Sequence, residues 1–228
     1  MIKLSKTSKM PKKCKSWSTE AVDTCPGSIE SRIKGVVTLV DACKGCYART
    51  GMYNMPNVKA PRISNKEDWK RTGWVQDMID AISKDPLFRW FDSGDVYTVK
   101  LAEKIKQVII GTPKTRHWLP TRQHKFPKFT KVLNEIAELD NAVVRLSSDS
   151  VTGGLIEGPN TSTIYSNGSP KGSTVCGAYT REGKCGDCRA CWDKTVKVIA
   201  YPAHGKTMAK VIREATTLKV IKMMEVTS

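Results

Sequence analysis

Cys185, Cys188 and Cys191 stand at C-x2-C-x2-C spacing in KCGDCRACWD, with Cys176 nine positions upstream. A single C-x2-C pair can hold zinc, usually with a second pair supplied by a distant loop. Three thiolates in one turn with a fourth nearby more closely match the cysteine runs that wrap an iron–sulfur cube, a [4Fe-4S] cluster. A second group lies towards the other end: Cys43 and Cys46 in CKGCYA, Cys25 in TCPGS, and Cys14 in the basic opening segment. All eight cysteines fall into these two clumps. The pattern reads as a metalloprotein.

Two arrangements satisfy the arithmetic. In one, Cys176, Cys185, Cys188 and Cys191 close a cluster and the N-terminal group holds another. In the other, a single site draws ligands from both ends and leaves thiols spare. Cys25, Cys43 and Cys46 alone would leave one iron open for a substrate or for S-adenosylmethionine. Cys14 as a fourth ligand would close that site and make it structural or electron-transferring. Lys44, Lys184 and Arg189, interleaved among the thiols, are expected to offset their negative charge. Zinc is the competing metal, but His117, His124 and His204 are isolated and none is spaced with a cysteine as in a zinc finger. Disulfides would require an oxidising compartment. The opening MIKLSKTSKMPKK has no apolar stretch behind its charges and no run approaches a membrane span, so the expectation is a cytoplasmic chain with reduced thiols.

The elements that must position these groups follow from hydrophobic rhythm. Residues 36–40 read as a strand, 45–53 as a helix and 66–84 as a second helix with Trp74, Met78, Ile79 and Ile82 on one face. Then strands at 88–95, 115–123, 142–150 and 196–205 alternate with helices at 96–110, 127–139 and from about 206. A glycine-rich excursion fills 152–173. Alternation of this kind predicts α/β architecture, with βα units forming an incomplete barrel-like parallel sheet and cysteine-rich metal-binding loops near both ends. Working groups gather at the carboxyl ends of such strands. That places Asp92, Ser93 and Asp95, then Thr121, Arg122 and His124, then Ser147, Ser148 and Asp149, then Tyr201 and His204 on one rim. Asp92, Asp95, Arg122 and Asp149 are the candidates to line a pocket there. Ser93 and Asp95 serve equally well as caps of the helix that follows.

The length of 228 residues fits one α/β metal-binding domain spanning 1–228, with residues 1–15 a basic, flexible tail. A net charge of +16 favours an anionic partner, nucleic acid first among them, and no membrane. Trp69, Trp74, Trp90, Trp118 and Trp192 are either base-stacking platforms or core, and core is the better reading for Trp90 and Trp118. Nothing in the sequence fixes an oligomeric state.

The strings KTSKMPKKCKSWS, TCPGS, CKGCYARTGMYNMPNVKAPR, FRWFDSGDVY, TRHWLPTRQHKFPKF, VVRLSSDSV, TVCGAY and KCGDCRACWD resemble the phage and prophage proteins called the gene product 88 family. The resemblance covers most of the chain, from about Lys6 to His204. It implies a virus- or prophage-encoded protein acting in the cytosol of a bacterial host. CKGCYA after an earlier cysteine, followed by βα units, is also similar to radical S-adenosylmethionine proteins. Those carry C-x3-C-x2-C in one loop, whereas Cys25 lies 18 positions before Cys43. The expectation is an iron–sulfur-cluster protein with one or two clusters, a redox or radical-type enzyme acting on nucleic acid or nucleotide. The alternative is a non-catalytic module that binds nucleic acid or a host protein and carries a structural metal.

Overall fold

The computed structural model describes residues 2–226. Its frame is a seven-stranded sheet built from β1 (Cys14–Trp17), β4 (Leu87–Trp90), β5 (Arg116–Thr121), β6 (Ala142–Ser147), β7 (Thr161–Tyr165), β8 (Thr174–Val175) and β9 (Val198–Pro202). The order across the sheet is β1-β4-β5-β6-β7-β9-β8, and every neighbouring pair is parallel. The α/β expectation of a parallel sheet with helices therefore holds. β1 and β8 form its two edges. The segments beside those edges meet, because the Cys185 amide donates to the Lys9 carbonyl at 2.8 Å. The basic opening segment is tied down a second time where Ser5 and Ser16 exchange backbone hydrogen bonds.

Register divides the side chains between two faces. Trp17, Phe88, Trp90, Leu119 and Val144 point into the main core. There they meet the apolar stripes of α3 (Trp74–Ile82), α4 (Val99–Gly111) and α5 (Thr130–Glu138). Three fully buried tryptophans, Trp17, Trp74 and Trp90, meet edge-to-face or tilted within this layer, Trp17 and Trp74 with ring centroids 5.4 Å apart. His117 lies beneath it, accepting from Trp90 Nε1 at 3.2 Å. Cys14, Leu87 and Trp118 belong to the opposite, inner face, where Trp192 closes over them.

Several expected elements are realised differently. Residues 36–40 form a strand, β3 (Val36–Leu39), but it pairs antiparallel with β2 (Ile29–Ile33) in a separate hairpin. The expected helix at 45–53 is instead two short 3-10 turns, Tyr47–Arg49 and Gly51–Asn54, following a single α-turn, α1 (Asp41–Lys44). Gly45 and Gly51 interrupt the run, and Gly51 takes a left-handed φ of +57° that a continuing helix forbids. The expected helix 66–84 is broken: α2 (Pro56–Asp68) ends before Gly73, and α3 starts after it. β7 emerges from the glycine-rich excursion on the β-branched run Thr161–Ile164. The four-residue β1 and the two-residue β8 carry no length of alternation from which to read them. The final stretch is α6 (Lys206–Val226). Among the described residues no helix is long and apolar enough to cross a membrane.

All six tryptophans are buried, which removes the base-stacking reading of Trp69, Trp74 and Trp192. Capping of α4 falls to Thr98, whose hydroxyl accepts from the Leu101 amide at 3.1 Å, rather than to Ser93 or Asp95.

Candidate metal centre

The strand ends and the first cysteine group are assembled together. After β1 the chain crosses the carboxyl end of the sheet, where the Thr19 amide donates to the Ser93 carbonyl and the Asp95 amide to the Thr24 carbonyl. Gly27 then passes so close to Arg122 that a Cβ would stand 2.7 Å from the arginine Cβ and carbonyl oxygen. Lys125 Nζ donates to the Gly27 carbonyl at 2.9 Å, and the Ala42 amide donates to the Asp149 carbonyl at 2.9 Å. These ties bring Cys25, Cys43 and Cys46 over β4, β5 and β6. The Cys25 thiol lies within the electrostatic reach of both Cys43 and Cys46. Burial pushes all three thiols above the ordinary cysteine range, opposed at Cys43 and Cys46 by the Arg122 guanidinium.

Three of the four expected pocket residues stand beside this trio. Arg122 Nε pairs with Asp149 Oδ1 at 3.2 Å, and Lys125 pairs with the other oxygen of the same carboxylate. Asp95 is buried and accepts from the Arg122 amide at 2.9 Å and from Gln123 Nε2 at 3.3 Å. Burial raises its carboxyl pKa, against the pull of those donors. An open cleft of about 510 Å³ beside the trio is lined by Glu30, Asp41, Lys125, Asp149 and Ser150, with Ile29 and Val40. Asp92 is turned away from this group. It forms a buried ion pair with Arg62 at 2.9 Å and accepts from Tyr53 at 3.3 Å and from Ser18. Phe91, just before it, takes a left-handed φ of +58°, and Gly94 takes +80° where a Cβ would strike Thr19 Oγ1. That turn aims Asp92 at Arg62 and Asp95 at Arg122. His124 Nδ1 is buried without a partner.

The second cysteine group lies against the inner face of the sheet. Cys176 is held by its amide to the Ala200 carbonyl at 2.8 Å, and Cys185 by the tie to Lys9. The following segment is nailed down by Trp192, whose Nε1 donates to the Phe88 carbonyl at 2.9 Å, and by Arg116 Nη2 on the Trp192 carbonyl at 2.6 Å. Cys191 Sγ lies 3.5 Å from the Tyr201 hydroxyl. Cys14, expected as a ligand of the first group, is placed here instead: it shares an apolar cluster with Leu87, Trp118 and Trp192, against which Cys191 also packs. Burial pushes the Cys14 thiol up to about 12 and the Cys191 thiol up to about 11. Cys188 alone of the group is exposed.

Sequence reasoning missed the cations that matter here. Lys44 and Lys184 are taken up by Asp41 and Glu182 on the surface, and Arg189 Nη1 binds the carbonyls of Gly186 and Cys188. Arg89 and Arg145 face the inner thiols from β4 and β6. Cys14, Cys185 and Cys191 all lie within reach of the Arg89 charge, and Cys191 also within reach of Arg145. The readable signal was an arginine inside each of two apolar strand runs, FRWF and VVRLS.

The donor set suits a thiophilic metal in kind. Eight free thiols, none paired as a disulfide, are divided into a trio at the sheet rim and a quintet on its inner face. Their assembly into ligand geometry is a separate matter. Among the described residues, no set of three or more His, Cys, Asp or Glu side chains is already arranged to hold a metal ion, so the expected preformed metal loops are absent.

No curated protein and no solved structure matches this chain. The similarity to radical S-adenosylmethionine proteins accordingly has no match behind it. The family model described as gene product 88 matches residues 2–194, most of the chain, and the protein belongs to that family.

Proposed function

We propose that this chain is an iron–sulfur protein with two thiol sites, acting as a redox or radical-type enzyme on nucleic acid or a nucleotide in the bacterial cytosol. The observation that carries the reading is the grouping of the thiols: Cys25, Cys43 and Cys46 share one electrostatic neighbourhood, while the remaining five share another. An iron–sulfur group supplies one-electron chemistry when bound. In the trio, three thiols leave a coordination position for a substrate or for S-adenosylmethionine. Arg122, Lys125 and Asp149 border the adjoining cleft and are positioned to orient a charged ligand there. The buried Asp95 carboxyl, biased towards its protonated form, can hold or deliver a proton at that rim. Five thiols on the inner face offer more than the four an enclosed cluster needs. The segment bridging the two sheet edges through Lys9 and Cys185 supports a barrel-like enclosure of that site. The net charge of +16 supports an anionic substrate.

A second reading is a non-catalytic module that binds nucleic acid or a host protein and uses the metal, iron–sulfur or zinc, as a staple. The burial of Cys14 and Trp192 around the inner thiols favours it for that site. Protein purified without oxygen decides between them. Brown colour with stoichiometric iron and sulfide, partly retained in Cys46→Ala and partly in Cys185→Ala, supports two iron–sulfur sites. Colourless protein with stoichiometric zinc leaves the staple. Failure of the dithionite-reduced protein to bind or cleave S-adenosylmethionine ends the radical branch.

A further inference from the structure

Two arginines on the inner face lack the counter-charge that burial normally demands. Arg145 is fully buried, makes no ion pair among the described residues, and spends its two terminal nitrogens on four backbone carbonyls. Arg89 has its guanidinium 4.7 Å from the Trp118 ring centroid and a long hydrogen bond of 3.4 Å to the Tyr47 hydroxyl. The nearest carboxylate to Arg89 in electrostatic terms, Asp92, is already engaged by Arg62. The Nε of each arginine is buried with no partner. Unpaired donors on a buried cation cost several kcal/mol in the absence of an anion. The groups facing them that can become anionic are the inner thiols and Tyr201. Four thiolates around a metal core carry net negative charge, and donors to thiolate sulfur tune such a core.

The quintet must also give up one thiol. Cys14 is 3% exposed, sits on the sheet opposite Leu87, and shares its apolar cluster with Cys191. Cys185 and Cys14 feel each other's charge, as do Cys185 and Cys176, and Cys191 and Cys176. Cys188 is exposed and has only Cys185 as its thiol neighbour in this web.

We infer that the inner-face metal centre is held by Cys14, Cys176, Cys185 and Cys191, with Cys188 outside it and Arg89 as its positioning charge partner. The assignment rests on the proposed reading of the inner thiols as a metal site, and departs from the spacing rule that would choose Cys188. It closes an N-terminal strand onto a C-terminal loop through the metal.

The full chain is purified without oxygen, and metal and sulfide per chain are counted, with circular dichroism confirming the fold of each variant. Cys185→Ala defines the metal that belongs to the inner site. Cys14→Ala loses that same share, and Cys188→Ala keeps it. Loss in Cys188→Ala, with or without loss in Cys14→Ala, overturns the assignment while leaving the metal reading standing. No loss in Cys185→Ala removes the metal reading itself, and this assignment with it. Arg89→Gln gives an independent readout where a cysteine variant fails to fold. It keeps the metal, but an iron–sulfur centre shifts to a more negative midpoint potential, or a zinc centre passes to a competing chelator about tenfold faster. An unchanged potential and an unchanged transfer rate strike out the role of Arg89.

Discussion

The two thiol groups differ less in their cysteines than in what holds them. The rim trio is borne on loops and short turns and braced by partly exposed ion pairs, Arg122 and Lys125 with Asp149. The inner quintet is clamped by buried aromatic rings and by an arginine spent on the backbone. Surface ion pairs contribute little to stability, whereas buried donors left unmatched are expensive. One region can therefore shift to meet a ligand at modest cost, and the other is part of the fold's own framework. Coordination at a rigid, enclosed site suits a permanent resident, and coordination beside an open cleft suits a visitor.

The sharpest way to break this contrast is Arg145→Leu. The substitution strands the carbonyls of Thr161, Val196, Ala190 and Asp193, and the expected cost is about 4 kcal/mol in urea unfolding of the metal-free chain. A loss under about 1 kcal/mol would mean that the C-terminal segment is not anchored through β6. Trp192→Ala follows at about 3 kcal/mol, because it empties the space over Cys14, Leu87 and Trp118 and frees the Phe88 carbonyl. Similar measurements should show the inner cysteines of this variant becoming reactive to alkylation while Cys25 and Cys43 stay protected.

Much of this frame could be read in the chain, and what could not has physical causes. The βα units from Leu87 to Ser147 were legible because each strand is an apolar run and each helix carries an apolar stripe. The region from Cys43 to Gly73 was misread because its glycines and Pro56 redirect the backbone, and local composition outweighs periodicity there. Asp95, Arg122 and Asp149 were found from strand-end position alone. Asp92 was grouped with them wrongly, since the left-handed turn at Phe91 and Gly94 separates two nearby carboxylates, which no spacing rule reveals. The placement of Cys14 depended on a short edge strand, and the partnerlessness of Arg89 on tertiary packing.

Acid titration sharpens the contrast from the helix-covered side of the sheet. His117 is buried between Trp90 and Thr112, and burial lowers its pKa from 6.5 to about 3. The unfolded chain takes up this proton below pH 6.5 while the folded chain does not, so the stability it contributes is present above 6.5 and lost as pH falls towards 3. The metal-free protein should show a steeper acid loss over that window than His117→Gln, compared by denaturant midpoint. Equal slopes would assign the acid sensitivity to carboxylates instead.

The smallest effect belongs to the rim. Asp149 is partly exposed, with 37% of its side chain accessible, so Asp149→Asn should cost only about 0.5–1 kcal/mol despite removing two ion pairs. Its consequence lies in the neighbouring charges. Arg122 and Lys125 lose their shared carboxylate, and the cationic influence on Cys43 is no longer offset. Cys43 should then react faster with iodoacetamide at a fixed pH in the metal-free chain, while the inner Cys14 and Cys191 are unaffected. A peptide map of alkylation rates checks both halves at once. Parallel acceleration at the inner thiols would show that the two groups share one electrostatic unit, and the division between a yielding rim and a fixed interior would not stand.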